Sequence, residues 1–368
     1  MFRVLCLAAT LIAAPAGAEG FKRKGDRLAI PAAGIAVPAT LAGMKVTANR
    51  EFALKGQGLD NNVQWESADG LVFVSAYVYR PPLADASLAA YATDRAVRLR
   101  FGPTVTIAEQ GAAGLAGRPG TVIRTIYTGG QVEVGKPLVT AAAFASVGAW
   151  TLKLRASGPA DRRAEVIGAL DALIAAIIID RPGDLRETRP LAFDAPCPAA
   201  GTSTAKVLPE TLGSDAMIGM LLSGIATSKG MKPMPPVKTA DRPFPAEGTQ
   251  RACVRGAIRL GPVAADLIQP SGTDRPDIQL AAMSDSGNTL VVAKGSIDNN
   301  YAIKLYTIGQ IETLGHLDGQ PTPAQLQGWI DRKDKDALKM SSRSIYDATG
   351  KERLQLPGGA TMSAEAKR

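Results

Sequence analysis

His316 is the only histidine in the chain, in the stretch TLGHLDG, with Asp318 two residues on. A Ser-His-Asp triad would have to use it, because imidazole is the base that takes a serine proton near neutral pH. No G-x-S-x-G accompanies it, so nothing in the sequence supplies a nucleophile elbow. A hydrolase built on His316 is one alternative; a surface-loop histidine is the plainer reading. Ser203-Thr-Ala-Lys206 has the S-x-x-K spacing of penicillin-recognising enzymes, but the partner motifs of that chemistry are missing, and it reads as polar linker. Two M-x-x-M pairs, Met217 with Met220 and Met231 with Met234, lie within one short segment. Thioethers select Cu(I), which makes a periplasmic copper-binding protein the second alternative. Against it, Met217 and Met220 share an apolar helical stripe with Leu221 and Ile225, where methionine fills gaps in a core.

The stretch YTGGQVEVGKPLVT comes within one residue of a nucleotide-binding P-loop. A P-loop cradles phosphate on backbone N–H groups and runs on into a helix N-terminus. Here Pro137 replaces the hydroxyl residue, and alternating Val132 and Val134 lead into strand-like sequence. The segment is therefore read as a β-hairpin with its turn at Gly129-Gly130. No catalytic residue and no cofactor is assigned.

Arg3 followed by VLCLAATLIAA and PAGA has the layout of a signal peptide, with cleavage expected between Ala18 and Glu19. The apolar run is short of the ~18 or more residues a membrane helix needs, and no later run reaches that length. The expected location is the periplasm, with no transmembrane segment in the mature chain. Cys197 and Cys253 remain after cleavage, and in an oxidising compartment an isolated pair is expected to bridge. The net charge of +8 comes from 42 basic and 34 acidic residues that interleave along most of the chain. Aromatics are only 5% and do not alternate with basic runs, which excludes a nucleic-acid groove as an expectation. The partner would be an envelope protein, a cell-wall polymer or a small ligand.

What positions these residues is an α+β chain of two domains, each an antiparallel sheet with flanking helices. The assigned spans are a signal peptide at 1–18, a first domain at 19–180, a Pro- and charge-rich linker at 181–198, a second domain at 199–350 and a polar, frayed tail at 351–368. In the first, Asp69-Gly70 between two strand-like runs marks a hairpin. Its second strand is apolar on both faces, Leu71, Phe73, Ser75, Tyr77 and Tyr79 on one and Val72 to Val78 on the other, which predicts a central strand covered on both sides. Asp85 caps a helix to about Phe101. Strand signals follow near 104–109, 121–127, 138–147 and 149–155, then a helix to about Ile178 with the stripe Val166, Leu170, Leu173, Ile174, Ile177, Ile178.

This element order, the mid-domain GLAGRPG and the final WTLKLRASGPA resemble the PsbP-like fold over about residues 30–180. The resemblance implies an antiparallel sheet with helices on both faces and a non-catalytic, accessory role, and it transfers no site residues.

In the second domain a helix is predicted near Ser214–Ser228, and strands near 252–260, 277–283, 289–295 and 301–309. Thr322-Pro-Ala-Gln325 is a capping box that opens another helix. The expectation is an exported, non-catalytic binding or envelope-accessory protein.

Overall fold

Alternating burial along Phe73–Tyr79 sets the architecture, because one sheet face is sealed along its whole length and the other only in part. In this computed structural model the described residues are 20–53, 58–131, 137–194, 197, 205–208, 250–271, 277–295, 300–335, 342–350, 352–355 and 361–364. Met217, Met220, Met231, Met234, Ser203, Ala18, Glu19 and the helix expected at Ser214–Ser228 lie outside them.

In chain order the first half holds β1 (Lys22–Lys24), β2 (Arg27–Ile30), β3 (Ile35–Pro38), β4 (Thr40–Leu41), β5 (Met44–Glu51), β6 (Asp60–Glu66) and β7 (Phe73–Tyr79). Then come α1 (Ala86–Phe101), β8 (Thr106–Leu115), β9 (Arg118–Gln131), β10 (Pro137–Val147), β11 (Trp150–Pro159), α2 (Arg163–Ala176) and β12 (Ile178–Ile179). The second half holds β13 (Ala192–Phe193), β14 (Arg251–Leu260), β15 (Val263–Ser271), β16 (Gln279–Ala282), β17 (Thr289–Lys294), β18 (Tyr301–Thr307) and β19 (Gln310–Leu317). It closes with α3 (Pro323–Lys335), β20 (Ser342–Tyr346), β21 (Glu352–Gln355) and β22 (Thr361–Ala364). Among the described residues three sheets result: β1-β2-β3-β12, the eight-stranded β4-β5-β6-β7-β11-β10-β9-β8, and the ten-stranded β13 through β22 in sequence order. Among these strands pairing is antiparallel except for β13 with β14. The fold is a sheet-rich α+β arrangement.

Helix α2 seals one face of the eight-stranded sheet. Val166, Leu170 and Leu173 are wholly buried against Val72, Val74, Ala76, Leu152 and Leu154. The stripe ends earlier than its periodicity suggests. Ile177 turns extended and Ile178–Ile179 pair with Ile35 and Ala36 as β12, because β-branched residues favour a strand once a partner is present. Ile178 is 42% exposed.

Helix α1 is capped as its sequence dictates: the Asp85 Oδ1 accepts from the N–H of Ser87 at 2.8 Å and of Leu88 at 3.0 Å. Its alanine-rich sequence lets it lie between two sheets at once. Ala86, Ala89, Ala90 and Val97 pack on Ile123, Tyr127, Ala142 and Phe144 of the eight-stranded sheet. Leu88 and Ala92 pack on Ala252, Ile268, Ile278, Leu280 and Val291 of the ten-stranded sheet. Leu99, which helical spacing places on the apolar stripe, is 76% exposed.

The stretch read as a linker at 181–198 is not a bare one over its described residues. Leu185 is buried in the first core and bridges to Val147. Thr188 donates its N–H to the Gly120 carbonyl at 2.9 Å, and the Phe193 ring packs on that of Tyr91. Its charges and prolines hid a strap that runs along both sheets. The tail departs from expectation as well, since β21 pairs with β20 and β22 with β21.

Candidate functional site

Four rows of side chains cross β6, β7 and β11 on the face that α1 covers only in part. In register they are Asp60–Tyr79–Thr151, Asn62–Tyr77–Lys153, Gln64–Ser75–Arg155 and Glu66–Phe73–Ser157. Period-two alternation puts them on one face. Helix α1 lies over β9 and β10, so these columns are left to other neighbours.

At the Thr151 end the neighbour is the ten-stranded sheet. Lys153 is buried; its Nζ donates to Asp285 Oδ2 at 2.6 Å and lies 5.2 Å from the centre of the Tyr77 ring. Burial pushes this ammonium down, and Asp285 opposes the shift. Beside it, burial and the nearby Glu51 carboxylate push Asp60 up to about 6, with Lys153 pulling the other way. Arg80 donates to the Asp347 carbonyl at 2.6 Å, and the Tyr346 hydroxyl donates to the Arg80 carbonyl at 2.9 Å. Tyr91 donates to Asp266 at 2.8 Å, and Arg95 forms an ion pair with the same carboxylate. The space left among Tyr79, Thr151, Ser284 and Gly287 is about 10 Å³, room for about one water.

At the Ser157 end no second sheet lies over the columns among the described residues, and a cleft of about 560 Å³ opens. Its floor is Gln64, Ser75, Tyr77, Arg155 and Ser157. Leu71, Phe73, Leu138 and Pro159 give it apolar surface, and Arg100 with Phe101 from the last turn of α1 make one wall. Leu71 is 47% and Phe73 49% exposed, so the expectation of a strand covered on both sides is corrected. The second apolar face of β7 is the floor of an open site. Arg155 donates from Nε to Ser157 Oγ at 3.1 Å. Its guanidinium lies 5.8 Å, and that of Arg100 5.3 Å, from the centre of the same Phe101 ring, within cation–π range. Burial pushes Arg155 below its usual value.

The glycines of the near-P-loop have a structural part here. Residues 129–131 and 137–138 are strand, so the segment is a hairpin, but Gly129 is a bulge rather than the turn: Leu138 faces Gly130 and Val139 faces Thr128. A Cβ on Gly129 (φ +88°) would meet the Thr104 carbonyl oxygen, and one on Gly130 would come within 2.8 Å of Phe101. Both positions stay bare so that the end of α1 can close against the strand.

The residues singled out by type are not gathered at this cleft. His316 lies in β19, facing Ala302, and not in a loop. Gly315 made that stretch read as a turn; it serves the approach of Trp329, whose ring would lie 3.0 Å from a Cβ there. Asp318 accepts from the backbone N–H of Lys206 at 2.6 Å. Cys197 and Cys253 form a disulfide. The four sulfurs of the copper alternative, those of Met217, Met220, Met231 and Met234, belong to residues outside the described ones, so no geometry brings them together or sets them apart. Arg100, Arg155, Tyr77 and Ser157 were not foreseen. The usable signal was the pair Lys153 and Arg155 on one face of an otherwise apolar strand, TLKLRAS.

No known protein family matches the chain, and no curated protein matches it. Among solved structures it is similar to Mog1p, a Ran-binding protein of Saccharomyces cerevisiae, at 10% identity and a TM-score of 0.25, covering 38% of this chain and 98% of that one. Among the described residues no helix is long and apolar enough to cross a membrane.

Proposed function

We propose that this chain is an exported, non-catalytic binding protein and that the cleft on the β6–β7–β11 face is its ligand site. One observation carries the reading. On the β6–β7–β11 face, between the end of α1 and the part that the ten-stranded sheet covers, one stretch is open, concave, partly apolar and furnished with polar groups. Its volume, about 560 Å³, lies within the range of small-molecule pockets. The two-domain organisation, the PsbP-like character of the first half and the periplasmic location belong to the same proposal. They are supported by the strand order of the first sheet, the leader-like N-terminus and the disulfide. The non-catalytic part is supported by how His316 and Asp318 are placed, with the carboxylate engaged by the Lys206 N–H.

The test is a small-molecule screen by ligand-observed NMR on the mature protein, with Leu71→Trp as the cleft-filled control. We expect hits that lose contact with the variant and are recovered chemically unchanged. Hits that bind the variant equally well, or that are turned over, would remove the reading. The export part is checked separately: N-terminal sequencing of periplasmic material should begin at Glu19, and a retained Met1 would refute it.

A further inference from the structure

We infer that the ligand of this cleft is a small organic carboxylate with an apolar body, its head on Arg155 and Arg100 and its body along Phe73, Leu71 and Leu138. The inference rests on the reading that the cleft is the ligand site and adds the chemistry of what it takes.

The argument starts from charge. Neighbouring arginines find acids within the chain: Arg95 pairs with Asp266, Arg98 with Asp94, Arg124 with Asp171, and Arg162 with Asp69 and Glu165. Among the described residues Arg155 and Arg100 have no such partner within ion-pair distance, although both lie against one phenyl ring. Burial lowers the preference of Arg155 for its charged form, and the repulsion of the nearby Arg100 guanidinium adds to it. The arrangement is unfavourable unless an anion completes it.

Geometry narrows the anion. Arg155, which lines the cleft, spends Nε on Ser157, and its two terminal nitrogens remain for a two-point contact with a carboxylate. Phe101 supports both guanidinium planes on its ring. Two guanidinium groups at one end of the cleft match a single anionic head rather than a polyanion, which would call for a stripe of charge. The rest of the cleft is apolar or neutral: Phe73, Leu71 and Leu138 for an apolar body, Ser75 and Tyr77 for a hydroxyl or amide on it.

The experiment uses the mature full chain with phenylbutanoate and its primary amide as probes, followed by isothermal titration calorimetry. The acid should bind, and the amide should bind at least about tenfold more weakly. Arg155→Gln should erase that preference, with Arg100→Gln at the exposed rim lowering it in part and leaving the melting temperature unchanged. Arg155→Lys should fall between, since it keeps the charge and loses the fork. Equal binding of acid and amide, both abolished by Leu71→Trp, would overturn the carboxylate and leave the cleft as the site. Binding of either probe that persists in Leu71→Trp, or no binding of either, would overturn this proposal together with the reading beneath it.

Discussion

Lys153 and Arg155 stand two residues apart on one strand and point from the same sheet face, yet they have opposite fates. Lys153 is covered by the ten-stranded sheet and meets Asp285 at 2.6 Å. Among the described residues Arg155 has no acid within ion-pair distance; its Nε bonds Ser157 and its guanidinium lies against the Phe101 ring. The difference teaches how to read a basic residue on a buried strand. A cation neutralised from within the fold holds two parts of the chain together, whereas one left without an acid marks where an outside molecule can supply it.

The comparison can be broken from the closed end. Cys253→Ser should have the largest effect, a loss of about 4 kcal/mol on the chain-entropy account of a bridge spanning 56 residues. Cys253 adjoins Ala252, which packs on Leu88 and Ala92 of α1. Denaturation followed by circular dichroism should therefore show one shared transition moving to lower denaturant, not a second-half transition moving alone. Asp285→Ala should rank next, at about 3 kcal/mol, because it leaves the Lys153 ammonium buried without its counter-charge. Lys153→Met should cost much less, since Asp285, whose side chain is 37% exposed, stays hydrated.

A third variant sharpens the contrast through pH. Asp60 titrates at about 6 in the folded protein against 3.8 for the free side chain, so the folded state holds the extra proton between those values. Stability contributed by neutral Asp60 is present below pH 3.8 and is lost as the pH rises through about 6. Asp60→Asn should match the wild type below pH 3.8 and exceed it above pH 7 by about 3 kcal/mol, read from urea midpoints across that range. A constant gap would contradict the assignment. The smallest effect comes from making the open end resemble the closed one. Ser75 lies directly opposite Arg155 in the register. Ser75→Asp should supply the missing acid, add up to about 1 kcal/mol of stability, and abolish carboxylate binding in the calorimeter.

Local signals were legible in the sequence and relational ones were not. The Asp85 cap, the Asp69-Gly70 hairpin and the Thr322/Gln325 capping box each depend on a few adjacent residues, and the box forms reciprocally, at 2.9 and 3.2 Å. The disulfide followed from a count of two. β15 escaped because Asp266 and Gln269 break its apolar run and Pro270, which faces Ala252, closes it. The strand around His316 escaped because a glycine needed by a tryptophan looks like a turn. The cleft escaped for a deeper reason. What distinguishes Arg155 from Lys153 is which element fails to arrive above it, and no spacing within TLKLRAS encodes that.

Gly130 gives the cleft a tuning point outside its own lining. The residue opposes Leu138 across the hairpin and supports the Cβ of Phe101 from behind. Adding one methyl there would press on the aromatic wall and, through it, on the two guanidinium planes that rest against the ring. A chain under selection for a bulkier or slimmer ligand could therefore change its preference from the far side of the wall, with every contact residue retained.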